Sequence, residues 1–184
     1  MYFEGNTVSM KQLAILLLIT TLVKSLPAQQ PDSSQINKSL EVVIRHLPSG
    51  LLEFKGDLLN RRGQTSRFNS KLTIPGTTET IITEQAAFGR KDVSWRTVVF
   101  KTTNSTEASA IYTEIFNQVN NAIIRSISDK PYILTGKYKA PSGNKTTISR
   151  FQLLPSTGEM KDVKVDLILD ETNGDFTLSL NVHD

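Results

Sequence analysis

Along this chain of 184 residues the spacing of apolar side chains alternates twice between a period near 3.6 and a period of two. Ile36, Leu40, Val43, Ile44 and Leu47 fall on one helical face. They predict a first helix over residues 34–47, with Asp32, Ser33 or Ser34 as N-cap and Pro48-Ser49-Gly50 as the stop. Four runs of strand type follow at 51–59, 65–74, 79–86 and 94–102, divided by Asn60-Arg61-Arg62-Gly63, Pro75-Gly76-Thr77 and Gly89-Arg90-Lys91-Asp92. Links this short and this rich in turn formers favour antiparallel neighbours. The pattern then returns to helix: Ala108, Ile111, Tyr112, Ile115, Phe116, Val119, Ile123 and Ile124 form one stripe, predicting a helix over 105–127 opened by the capping pair Asn104 and Glu107. Further strand runs are predicted at 132–140, 145–154, 162–170 and 175–182.

The alternation also assigns faces. Phe176, Leu178, Leu180 and Val182 point one way and Thr177, Ser179 and Asn181 the other, and Val163, Val165, Leu167 and Leu169 alternate with Lys164, Asp166 and Asp170. Sheets with one wet and one apolar face need a cover, and the amphipathic helices are available for it. The expected fold is α+β, built as two tandem repeats, each one helix packed on a four-stranded antiparallel meander. Sliding the chain on itself by 80 residues gives eleven identities across residues 25–104, among them Gly56 with Gly136, Pro75 with Pro155 and Ile44-Arg45 with Ile124-Arg125, which points to an internal duplication.

This repeated helix-plus-meander resembles the tandem modules of the β-lactamase inhibitor protein and its PepSY-like relatives, and a single unit resembles a cystatin. The resemblance is one of topology over residues 34–184. With no Cys in the chain, the inhibitor's two-disulfide framework is impossible. A cystatin's Gln-Val-Val-Ala-Gly-type hairpin is also absent, so inhibitor function is not carried over.

Lys11, the apolar run from Leu13 to Val23 and the small-residue exit at Ala28 have the pattern of a secretory signal peptide, too short to remain as a membrane span. Met10 is its expected start. The organisation read from the chain is therefore 1–28 signal peptide, 29–33 flexible lead-in, 34–103 first unit and 104–184 second unit. A disulfide-free exported domain suggests a bacterial protein, secreted or periplasmic. Removing residues 1–28 takes away Lys11, Lys24 and Glu4, leaving 19 basic against 17 acidic residues, too mild an excess to suggest nucleic acid as partner.

Candidate chemistry is sparse. His46 and His183 lack metal-like neighbours in sequence, the paired carboxylates read as solvated faces, and no Gly-x-Ser-x-Gly or Ser-x-x-Lys pattern occurs, so neither metal, cofactor nor catalytic residue is expected. The sequons at Asn37, Asn104 and Asn144 read as chance occurrences in a chain rich in Ser, Thr and Asn. An exported, non-catalytic interaction module binding a protein or envelope component is the leading reading. The alternative is a carrier of an apolar small molecule held between helix and sheet, and a hydrolase is the third. Arg61 and Arg62 at a hairpin tip are candidate contacts for an acidic partner. The offset of 80 places Val98 and Phe100 toward the helices, and hence Trp95 and Val99 on the opposite face as a candidate binding pair.

Overall fold

The structure, a computed structural model, describes residues 32–87, 89–125, 131–142 and 145–184. The expected signal peptide, most of the lead-in and Asn144 lie outside them. Helix α1 spans Ser33–His46, and the side chain of Asp32 caps it by accepting from the Ser34 amide. It runs into a 3₁₀ turn, Leu47–Ser49, which Gly50 ends with φ at +74°, a conformation that suits glycine. Four strands follow: β1 (Lys55–Arg62), β2 (Thr65–Ser70), β3 (Glu79–Ala87) and β4 (Arg90–Thr102). Helix α2 (Ser105–Val119) leads to β5 (Ile123–Arg125), β6 (Pro131–Gly136), β7 (Thr147–Leu154), β8 (Lys164–Thr172) and β9 (Asp175–His183).

All nine strands form one antiparallel sheet in the order β1-β2-β3-β4-β9-β8-β7-β6-β5. The fold is α+β, but the expected division into two units of one helix and four strands is not evident in this continuous sheet. The last strands of the two halves pair directly, Trp95 facing Val182 and Thr97 facing Leu180. The first helix is also shared between the halves, because its backbone comes closest to β5, α2 and β9. Asn37 Nδ2 donates to the Gln118 carbonyl at 3.3 Å and Arg45 to the Arg125 carbonyl at 2.9 Å. No helix among the described residues is long and apolar enough to cross a membrane.

One apolar core lies between the sheet and the two helices. Ile36, Leu40, Val43 and Ile44 of α1 and Ala108, Tyr112, Ile115 and Val119 of α2 meet Val165, Leu167, Leu178, Leu180 and Val182 of the sheet there. In the second half the faces are those that alternation predicts.

Two expectations are corrected. The second helix ends at Val119 and not at 127: Asn121 takes φ at +71°, the Asn120 side chain accepts from the Gly136 amide, and the next residues turn back as β5, with Ile124 buried and Ile123 exposed. Trp95 and Val99 do not form an exposed pair, for both are buried in the core. The reason is an irregularity between Val98 and Phe100, where Val98 pairs with Ser179 but Phe100 with Leu178, leaving Val99 as the extra residue. Such a bulge reverses the face of everything beyond it. Phe100 does pack against the core, but Val98 turns away from it.

Candidate functional site

Both helices cover one face of the sheet, and no described element packs on the other. The strand register arranges that open face in rows that cross the strands. One row carries Arg67, Thr83, Ser94, His183, Lys164 and Gln152. The next carries Asn69, Ile81, Arg96, Asn181, Asp166 and Arg150, and the third Glu79, Val98, Ser179, Ile168 and Ile148. Two rows are therefore mainly polar and basic and the third mainly apolar. At the far end Ile123, Ile133 and Leu154 stand side by side across β5, β6 and β7, exposed by 58%, 42% and 41%, an apolar group of unusual exposure, while Ile148, exposed by 38%, lies at the other end of β7 beyond Gln152 and Arg150. The Ser179 hydroxyl, buried between Val98 and Ile168, has no hydrogen-bond partner among the described residues.

The centre of the face is an ion cluster. Arg150 donates from Nε to Asp166 Oδ1 at 2.7 Å and from its Nη2 to Oδ2 at 2.9 Å, and His183 Nε2 lies 3.2 Å from Oδ2. Asp166 is almost fully buried while the Arg150 side chain is half exposed. Burial alone would raise the Asp166 carboxyl, but the hydrogen bonds from Arg150 and His183, with their charges, outweigh it and hold it at about 2. The same hydrogen bond raises His183 above its ordinary value against the opposing effect of burial. The arrangement thus fixes one buried carboxylate beneath Arg150, with His183 as its second partner. Both carboxylate oxygens are occupied, and the second ring nitrogen of His183 lies 3.4 Å from the Asp184 carbonyl.

These shifts set a pH window. The depressed Asp166 contributes stability above its ordinary value of 3.8 that is lost as pH falls toward 2, and the raised His183 contributes stability below 6.5 that is lost as pH rises through its folded value. Asp166→Asn is expected to cost about 2 kcal/mol inside that window and to flatten both edges. Urea unfolding between about pH 3 and about pH 9 checks this. A variant with the pH dependence of the wild type would remove the cluster as its source.

No family model matches the chain, and neither a curated protein nor a solved structure matches it.

Other features are less suited to be the site. A cleft of about 660 Å³ lies where α2 begins, lined by Thr106, Ser109, Lys145, Thr147, Glu171 and Phe176 among others. Its walls mix hydroxyls with the apolar Pro141, Leu169 and Phe176. On the helix-covered side Lys55 and Lys91 share the carboxylate of Glu84, and burial, with the neighbouring charge of Lys91 second, lowers Lys55 to about 8. Among the described residues no group of three or more acidic or His side chains could hold a metal.

Of the residues singled out from sequence, Arg61 and Arg62 are exposed at the end of β1, with Arg61 Nε donating to Ser66 Oγ at 3.1 Å, while Trp95 and Val99 lie in the core beneath the helices. The structure does not bring the two pairs together. Sequence reasoning missed Arg150, Asp166 and His183, which come from three strands. The one available signal was Asp166 on the polar side of an alternating run.

Proposed function

We propose that the protein is an exported, non-catalytic interaction module that binds a protein or envelope component through the open face of its sheet. The observation that carries the reading is the one-sided cover: nine strands with both helices on one face, and on the other Arg96 and Arg150 in one row, with the exposed Ile148 next to Arg150 on its strand and the exposed Ile123, Ile133 and Leu154 at the far end. Apolar anchors with arginine nearby are the composition of contact surfaces. The engagement of both Asp166 carboxylate oxygens by Arg150 and His183 supports the non-catalytic part. Lys11 and the apolar run that follows support export to a secreted or periplasmic, bacterial setting.

The same proposal includes an origin by duplication, with the likeness in topology to β-lactamase-inhibitor-protein and cystatin modules that this implies. The identities at an offset of 80, and the meeting of β4 with β9 as the last strand of each half, support it. The extra strand β5 and the sharing of α1 between halves are departures from a simple tandem repeat.

A photo-crosslinking side chain at Ile148, on the open face, tests the reading against one at Lys38, exposed on α1. In the protein's native compartment, a discrete adduct at Ile148 and none at Lys38 is the expected result. Equal labelling at both positions, or none at either, would overturn the open face as the contact surface.

A further inference from the structure

The charges of the open face are not scattered. Arg67, Arg96, Arg150, Lys164 and His183 occupy two adjacent rows spanning β2 to β7, and the only carboxylate in those rows is the buried Asp166, paired with Arg150 and His183. Arg67, Arg96 and Lys164 form no ion pair among the described residues. Five inter-strand spacings separate β2 from β7, so the band is about 24 Å long, with the half-buried Ile168 and the exposed Ile148 of the adjacent row alongside it at its β8 and β7 end. Acidic residues of this face, such as Glu79, Asp92 and Asp170, lie outside the two rows.

We infer that this band receives an acidic segment of a partner protein whose apolar side chains seat on the adjacent row. The inference rests on the open face being a contact surface and adds the chemistry of what contacts it. Complementary charge of this kind directs which partner docks and how fast. Three other occupants fit less well. Residues 1–31 carry one acid, Glu4, against Lys11 and Lys24, the wrong sign for the band. A second copy docking face to face by two-fold symmetry would set the band against itself. A nucleic acid would use the cations but leave the apolar row unmatched, and the whole chain is only +3.

The test is fluorescence anisotropy on the full chain with three labelled probes: a peptide of about twelve residues alternating Glu and Leu, its Lys-Leu counterpart, and a single-stranded oligothymidylate of similar length. The Glu-Leu peptide is expected to bind, more weakly as salt rises, and to lose at least about tenfold in affinity when Arg96→Glu and Lys164→Glu are combined. Lys38→Glu on α1 should change nothing, and unaltered thermal melts would show the variants to be folded. Absence of binding by the wild type, equal binding of both peptides, tighter binding of the oligonucleotide, or indifference to the charge reversal would each overturn the acidic partner. So would a concentration-dependent dimer abolished by Arg96→Glu, which would assign the band to a second copy. Adducts at Ile148 that persist alongside any of these outcomes would leave the contact surface standing and remove only its acidic occupant.

Discussion

Trp95→Ala is expected to destabilise the protein by about 3–5 kcal/mol, the cost of emptying a buried indole site. Trp95 is the single tryptophan of the chain and has no exposed surface, and its Nε1 donates to Ser70 Oγ and to the Leu72 carbonyl, both at 3.2 Å. The ring therefore fills the core and also pins the segment after β2 to β4. Removing it opens a cavity and takes the indole donor from Ser70 Oγ and the Leu72 carbonyl, which keep the bonds that join Ser70 to Leu72. For a domain of this size the melting temperature should fall by about 10 °C. Trp95→Phe, which keeps most of the apolar volume but no donor, should lose about half as much. Circular dichroism during urea unfolding reads both. An Ala variant within about 1 kcal/mol of wild type would mean that the indole does not hold the core together.

The second large effect is expected at Gly136. Gly136 on β6 faces Phe151 on β7, whose ring is fully buried, stacked at 5.1 Å on Phe116, which meets Tyr138 edge-on. A Cβ at position 136 would stand 2.8 Å from Phe151 Cε1 and 2.9 Å from Cγ, closer than real Cβ contacts allow. Phe151 has no room to retreat, so Gly136→Ala should cost about 1–3 kcal/mol through overpacking. The clash is specific, and the costs should therefore not add: in a Phe151→Leu background the same Gly136→Ala step should be much cheaper. Additive losses in a double-mutant cycle would refute the packing account.

Much of the fold was legible because period and turn chemistry agree over long stretches. Leu178, Leu180 and Val182 alternate without interruption and lie on the face that their pattern assigns. Errors arose where one residue interrupts a regular count. Ile123 and Ile124 continue the helical stripe of α2 numerically, yet the chain has already reversed at Asn120-Asn121, so the spacing survived while the helix did not. Val99 is the sharper case. Counting back from Phe100 by twos puts Trp95 on the wet face, and the bulge at Val99 puts it in the core. The Arg150–Asp166–His183 cluster was hidden for a different reason: β7, β8 and β9 must be in register before these side chains meet, and a single sequence does not print register.

The sharing of α1 between halves bears on how the chain acquires its fold during synthesis. Asn37 and Arg45 find their carbonyl partners 81 and 80 residues downstream, and the edge of β4 that β3 leaves free finds its partner only in β9. The first half thus leaves the ribosome with its helix unseated and one edge of its sheet unpaired, and it cannot close a core until most of the second half has followed. Long-range contacts of this kind make folding slow. The order of the strands thus acts as a timer, holding the sheet open until β9 has been made.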